Sequence, residues 1–548
     1  MACFRILFPV FASVALVACG GGGGSDPVVA AKPPLVSGVF IGPPVEGLRY
    51  ETASRDGLTD ADGTFEYHQG ETVRFYVGDI LLGEARGAEE LTPLDLAGIE
   101  SPPVTAREVR AVANQIESFD LATPFEVATN IASFIYTLDD DADISNGIFI
   151  SPDMHALAAG RSINFNLTYD SFPDHYPFRK LLGDARLSNA WTAERQVFKA
   201  SYAMDLLYMA QGLSAQIYGP GDSLVDAGND GSIDTLYRKN YTYTGQLTVS
   251  GRDDGNDGTF DDATGYFYDN ATGNLVAQVR QRNSDATRTE YTYDSTGFRT
   301  KSEVSDVLTD TVLRATHHTR DDYGQRLSSS EDKDMDGNID SLTTFIYDVH
   351  GNLVEQLRDT NNDGIPNQSF TFEYNSNGHL IREASYLEPG KVLLYDSRYT
   401  RNEQSQILTY ASDDDGDGTD DTTYTTEYAA NGQILRRWLD ANADGTSDYY
   451  YQYSYNADGH LVKQETRDAA TDEVTSVTSY TRDELGNILD YSIDTDADGT
   501  PEEGYTQTYD LNGNAVLQLS DANGDGTVDV RMTISHLKTN GWATILDQ

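Results

Sequence analysis

Cysteine is nearly absent from this chain, with two in 548 residues, Cys3 and Cys19. Everything beyond the first twenty positions must therefore be held together without disulfides. Basic residues are scarce too: 38 Lys and Arg stand against 88 Asp and Glu, a formal net charge of −50. A surface of that sign repels phosphate, which excludes nucleic acid as a partner. No apolar run approaches the roughly 20 residues that a membrane helix requires. Also missing are a G-x-S-x-G elbow, an H-E-x-x-H pair, a phosphate-cradling glycine loop and a Cys nucleophile. The nine His are scattered: His350, His379 and His460 flank turns, and His317 and His318, adjacent in a strand pattern, point to opposite faces. Asp174-His175 is the one acid–imidazole pairing. The composition points away from an enzyme.

What the chain has in quantity is Asp and Gly in a repeated loop. DKDMDGNID, from Asp332 to Asp340, places carboxylates at positions 1, 3, 5 and 9 and Gly at position 6. That spacing gives a hard cation several oxygen ligands within one tight turn, and the ion it suits is Ca²⁺. Eight copies occur. Their ligand candidates are Asp226, Asp230 and Asp234; Asp253, Asp257 and Asp261; Asp332, Asp334, Asp336 and Asp340; and Asp359, Asn361, Asp363 and Asn367. The later four offer Asp413, Asp415, Asp417 and Asp421; Asp440, Asn442, Asp444 and Asp448; Asp494, Asp496, Asp498 and Glu502; and Asp521, Asn523, Asp525 and Asp529. The starts recur at 27 residues or near-multiples of it, with degenerate units near Arg282, near Asp306, at Tyr386 to Leu394 and at Asp468 to Ser476. About twelve units result, eight of them metal-competent. Eight sites held at about ten times their dissociation constant, at about 1.4 kcal/mol each, amount to about 11 kcal/mol, comparable with the stability of a domain.

A second turn runs half a unit out of phase, marked by Gly273, Gly297, Gly324, Gly351, Gly378, Gly432, Gly459, Gly486 and Gly513. Between the two turn types, aromatics fall on every second position, as in Phe370, Phe372, Tyr374 and Tyr449, Tyr451, Tyr453, Tyr455. Period two with aromatics and Thr is a strand signal. Each unit reads as a β-hairpin, and the fold class is mainly β: a long coiled antiparallel meander. About 24 strands at about 4.8 Å cannot stay flat. They either wrap into a shell or group into propeller blades, and the recurrence of one degenerate loop after every two competent ones favours the coil.

Tyr347-Asp348-x-x-Gly351-Asn352-Leu353 resembles the YD repeat of bacterial RHS proteins, as do Tyr268-Asp269 with Gly273-Asn274-Leu275 and Tyr509-Asp510 with Gly513-Asn514. The nine-residue loop is similar to the D-x-[DN]-x-D-G-x-x-D loops of integrin-type hairpins and thrombospondin type 3 repeats. The resemblance implies a shell-like or propeller-like repeat architecture. The loop is no helix-flanked EF-hand, since position 12 is Phe370, Tyr505 or Met532 rather than a bidentate Glu. Ordinary YD repeats lack these loops, and after the last repeat comes only Met532 to Gln548.

Residues 1–18 read as a targeting segment, with Arg5, the apolar core Ile6 to Leu16 and a cleavage site before Cys19. Leu16-Val17-Ala18-Cys19 resembles a bacterial lipobox, which implies acylation of Cys19; Gly20 at the next position implies the outer membrane. Residues 19–35 form a Gly- and Pro-rich tether. Residues 36–100 read as a small β-sandwich-like domain, its Gly57 to Phe65 hairpin resembling transthyretin-like modules, with Asp60 and Asp62 as turn formers. Residues 101–218 read as helical. Thr105 and Glu108 form a capping box, and further helices are expected over 124–136 and 192–211. Asp139, Asp141 and Asp143 either hold another ion or form an exposed acidic loop. Residues 219–548 are the repeats.

The expectation is a calcium-stabilised, lipid-anchored protein of the outer membrane, on its periplasmic or extracellular face, acting as a binding or structural surface. An adhesin-like module binding a glycan or protein ligand, a scaffold or capsule for another protein, and a polysaccharide-acting enzyme in residues 105–215 stay open. An exposed Tyr stripe marks the first, a closed lumen the second, and paired carboxylates in a cleft the third.

Overall fold

The computed structural model describes residues 33–118, 122–193 and 195–547. The targeting segment, Cys19 and most of the tether lie outside the described residues.

Strands Leu35–Phe40, Thr64–His68 and Glu90–Leu91 form one small sheet, and Arg49–Glu51, Asp56–Leu58, Thr72–Val77 and Ile80–Arg86 form a second. Phe40, Phe65 and Phe75 pack between them, with ring centroids 4.7 and 5.3 Å apart. Asp60 makes the hairpin turn as expected, its Oδ1 accepting from the amides of Asp62 and Thr64. Among the described residues there are seven α-helices, in chain order: α1 (Pro93–Leu96), α2 (Ala106–Ser118), α3 (Pro124–Thr137), α4 (Pro152–Ala158), α5 (Tyr176–Leu187), α6 (Ala200–Ala210) and α7 (Ala543–Leu546). The β and helical segments share one hydrophobic cluster, from Phe40 through Phe134 and Met204 to Trp542, so the change of character near residue 100 is not a boundary of packing.

The Thr105 and Glu108 box starts α2, and Thr123 with Glu126 caps α3. The helix expected over 192–211 begins only at Ala200. Tertiary hydrogen bonds hold the preceding stretch extended: Phe198 N–H donates to Thr137 Oγ1, Phe198 C=O accepts from Ser133, and Arg195 reaches the Asp140 carbonyl. Helix α5 was not foreseen; its apolar Phe178, Leu181, Leu182 and Ala185 are buried at helical spacing.

From Ile217–Ala227 to Val530–Thr539 the chain runs through 24 antiparallel strands, each paired with its sequence neighbours. The meander and the strand number agree with the repeat count. Its two ends also join. Ile217–Ala227 pairs with Val530–Thr539, Ile217 opposite Thr539 and Ala227 opposite Val530, closing a single barrel rather than separate blades.

The register explains the barrel's shape. Thr409 pairs with Thr425 and Thr425 with Trp438, a step of 29 residues across one hairpin, while the sequence repeats every 27, as from Ile407 to Ile434. The extra two come from the one-residue slip at the start of each returning strand together with the turn geometry, as at Glu427/Tyr428. Twelve hairpins at two residues each give a stagger of about 24 for 24 strands. A ratio of one is that of the eight-stranded α/β barrel, whose strands tilt about 36°. At about 4.8 Å per strand this tilt gives a backbone diameter of about 45 Å. Taking off about 5 Å of side chain per wall leaves a bore of about 35 Å.

Residues from the N-terminal half, and from the C-terminal segment packed with it, approach the Tyr-bearing face at distant points of the ring: Asp547 lies near Tyr268, Arg179 near Tyr347 and Arg110 near Tyr509. One body can meet that face from several sides only if it is the inner face. Among strand aromatics, only Phe267, Tyr386, Trp438 and Tyr450 share the outward register. The outer wall carries ion pairs such as Arg238–Asp222, Arg382–Asp396 and Lys463–Glu465. That is the reverse of a membrane-spanning barrel, which turns its apolar band outward.

Candidate functional site

The two kinds of turn occupy opposite rims. The rim of glycine turns carries the N-terminal half as a cap. Lys199 Nζ donates to the Gly273 carbonyl at 2.6 Å, Asn274 to Gln196 at 3.0 Å, and Asn114 to the Leu485 carbonyl at 2.9 Å, while the Tyr176 ring covers Gly351. After the last strand the chain re-enters the cap. Trp542 is 1% exposed, its ring 4.6 Å from Phe125 and 5.2 Å from Tyr208.

The other rim carries the eight acidic loops, and their backbone is already shaped around the carboxylates. In the loop from Asp440, both oxygens of the buried position-1 carboxylate accept amides, from Asp444 at 3.1 Å and Gly445 at 2.8 Å. Asp444 Oδ1 takes the Thr446 amide, and Asp448 Oδ2 takes that of Ala441. Equivalent bonds to position 1 recur at Asp226, Asp253, Asp332, Asp359, Asp413, Asp494 and Asp521. Position 6 takes φ near +90°, as at Gly445 (+91°). Sequence reasoning missed position 4, which is also left-handed. Its signal was present as Asn229, Asn256, Asn362, Gly416 and Gly524, although Met335, Ala443 and Ala497 hold the same geometry at φ +60°, +49° and +58°.

Three loops gather carboxylate oxygens into one cluster: Asp494, Asp496, Asp498 and Glu502; Asp332, Asp334 and Asp336; and Asp413, Asp415 and Asp421. Within each group the oxygens lie within 4.8 Å of one another. The loops from Asp359, Asp440 and Asp521 have Asn361, Asn442 and Asn523 at position 3, which offer an amide oxygen. Those from Asp226 and Asp253 have Gly228 and Gly255 there and offer one ligand fewer. Neighbouring loops are stitched together: Gly255 N–H donates to the Asp234 carbonyl, Asn362 Nδ2 to that of Ile339, and Gly228 N–H to that of Asp529 across the closure.

Asp139, Asp141 and Asp143 do not converge in this way. Asp139 is buried and caps the Phe149 amide at 3.0 Å, and desolvation raises its pKa. Asp141 binds the Asp143 amide and Asn146, while Asp143 binds Ser145. Asp174 pairs with Arg179, not with His175. His175 is desolvated, its pKa pushed down to about 4, and its Nε2 receives the Asn164 amide at 3.4 Å.

Between the rims, the inner wall is aromatic and cationic. Tyr399, Tyr410 and Tyr424 form a ladder across three strands with centroids 5.3 and 4.9 Å apart. Tyr480, Tyr491 and Tyr505, each 81 residues later, repeat it at 5.4 and 5.1 Å. Arg401 and Arg482 stand over the first ring of each ladder, and Arg437 over Tyr424. Arg299, Arg326 and Arg358 stand over Tyr291, Phe345 and Phe370 on the same face. In a chain of net charge −50, these six guanidinium groups face the interior of the barrel.

No family profile and no curated protein matches the chain. Among solved structures it is similar to the TcdB2-TccC3-TEV complex, at 13% identity over 57% of this chain and 19% of that one, with a TM-score of 0.30. It is similar also to the Photorhabdus luminescens Tc holotoxin pore, at 15% identity, 53% and 20% coverage and a TM-score of 0.21. A porin-like protein from Bacteroides uniformis matches at 12% identity, 50% and 93% coverage and a TM-score of 0.19. The chain spans about a fifth of the length of the first two. At these values the likeness says nothing of activity.

Proposed function

We propose that this protein is a calcium-stiffened scaffold of the bacterial envelope, held to the outer membrane by lipid on Cys19, whose working surface is the inner wall of the barrel. The observation that carries the reading is the sorting of side chains. Most strand aromatics turn inward, several beneath a guanidinium group, and the outer wall carries ion pairs in their place. Calcium at the eight loops would hold the open rim rigid against the repulsion of its own carboxylates, and a rigid ring of about 35 Å bore can enclose a folded segment of a partner. A surface adhesin needs its aromatic stripe on the outer wall, where the strands carry ion pairs instead. A hydrolase in the cap needs two carboxylates facing one cleft, whereas Asp174 and Asp184 are paired with Arg179 and Arg161.

Tyrosine nitration tests the scaffold reading. Protein extracted from its own envelope is compared with the same protein after unfolding and refolding alone. The scaffold reading expects Tyr424, Tyr451 and Tyr505 to be protected in the extracted form and Tyr450, on the outer wall, to react equally in both. Equal reactivity of the inner tyrosines, or protection of Tyr450 alone, overturns it.

A further inference from the structure

Where α2 crosses the rim, it roofs a cavity of about 600 Å³ against the inner wall. That lies within the range of small-ligand sites, about 300 to 1,000 Å³. Its charged lining is basic: Arg110 from α2 and Arg482 from the wall, with no carboxylate among the lining residues. Arg482 is fixed by neutral partners, the carbonyls of Leu461 at 3.0 Å and Gly486 at 2.7 Å, which orient the guanidinium without cancelling its charge. The adjacent carboxylates of Asp483 and Asp510 are turned into their own turns, accepting the amides of Asn487 and Asn514.

The rest of the lining has two characters. Asn114 and Asn487 spend carboxamide groups on each other and on Leu485 and Asp483, whereas Gln216, the Nε2 of Gln507 and the Oδ1 of Asn514 offer donors and acceptors that match hydroxyl groups, which both donate and accept. Tyr169, Tyr218, Tyr509, Ile488 and Ile534 contribute apolar faces. A carboxylate calls for donors alone, which the two guanidinium groups supply. A ring that bears hydroxyls, a C–H face and a carboxylate uses all three kinds of lining. We propose that this cavity binds an acidic oligosaccharide, with a uronate carboxylate between Arg110 and Arg482 and its ring against the tyrosines. This site goes beyond the scaffold reading and does not depend on it.

Calorimetric titration of the full chain tests it, with trigalacturonate, neutral galactotriose and triglutamate as probes, in calcium and again in chelator to separate metal bridging at the acidic loops. The expected result is saturable trigalacturonate binding in both buffers, at least about tenfold tighter than either other probe. Arg110→Gln, which alters a side chain outside the barrel's hydrogen-bond ladder, should weaken it at least about tenfold, a change of about 1.4 kcal/mol, with an unchanged melting temperature. No binding of trigalacturonate, equal binding of galactotriose or triglutamate, binding only in calcium, or indifference to Arg110→Gln overturns the proposal.

Discussion

Tyr374 Oη donates to the carbonyl of Leu353 at 3.0 Å, across 21 residues of sequence. Leu353 opens a returning strand, beside the slip in pairing at Ile346/Tyr347, and the next ladder begins only at Glu355 opposite Thr371. Its carbonyl would otherwise lack a partner. Tyr347, Tyr428, Tyr455 and Tyr509 make the same bond to Arg326, Ile407, Ile434 and Ile488. Arg401 and Arg482 make it with Nε, to Leu380 and Leu461. In these hairpins the repeated tyrosine, or an arginine in its place, thus completes the backbone beside the slip.

Tyr374→Phe keeps the ring and removes the donor. An unsatisfied, partly buried carbonyl costs about 1 to 3 kcal/mol. Denaturant unfolding should show a loss of about 1 to 2 kcal/mol, and hydrogen exchange should quicken around residues 353–355. An unchanged midpoint and unchanged exchange would mean that water serves the carbonyl equally well.

Chelation should lower the melting temperature of the barrel by about 15 °C. This follows from about 11 kcal/mol of binding over some 330 residues at about 2.1 cal/mol/K per residue. Differential scanning calorimetry with millimolar calcium and then with chelator measures it. An unmoved transition would reduce the acidic loops to well-formed turns.

Asp440→Ala removes a buried carboxylate that accepts two amides. It should cost about 2 to 3 kcal/mol and lower calcium stoichiometry by one in equilibrium dialysis. Gly445→Ala, at φ +91°, should cost about 1 to 2 kcal/mol from backbone strain alone while keeping every ligand. If both variants lose the same amount and neither changes stoichiometry, the loop is not a metal site.

Trp542→Ala should cost about 3 to 5 kcal/mol, because the ring is the piece of the C-terminal segment driven deepest into the cap. Limited proteolysis should then cut between Thr539 and Asp547. Wild-type resistance in the variant would show that strand pairing alone secures the closure.

Burial raises the Asp205 carboxyl from 3.8 to about 7, against its bond to the Trp542 amide at 2.9 Å. The folded state therefore keeps a proton that the unfolded chain has released. This contribution is most favourable below about pH 4, declines as pH rises to about 7 and is level above. His175, depressed to about 4, has the opposite slope, its contribution being lost as pH falls from 6.5 towards 4. Asp205→Asn should remove the first slope and leave the second, as read from melting temperatures between pH 4 and 8. An unaltered profile would place the acid-side behaviour elsewhere.

Much of the barrel was legible because each hairpin is a local object. Gly351 and Gly337 mark its two turns, aromatic alternation marks its strands, and counting units gives the strand number. The degenerate units near Arg282, Asp306, Tyr386 and Asp468 are plain hairpin turns, as their lost ligands implied. Closure was not legible, because the pairing of Ile217 with Thr539 depends on a two-residue stagger per hairpin that no single repeat displays. The inward turn of the tyrosines was hidden for a related reason: period two separates the faces of a strand without saying which is inside. In the cap, the helix expected from Thr192 starts only at Ala200, because the partners of Phe198, Ser133 and Thr137, lie some sixty residues upstream.

A stagger of two residues per hairpin means that strand tilt is a property of the repeat and not of the ring. Gaining or losing one hairpin alters stagger and strand number in the same proportion, so the angle stays near 36° and only the girth changes, by about one part in twelve. Such a barrel can be resized by duplication of whole units without redesigning any strand, turn or wall contact. The size of what it surrounds would then be open to selection separately from the chemistry of its lining.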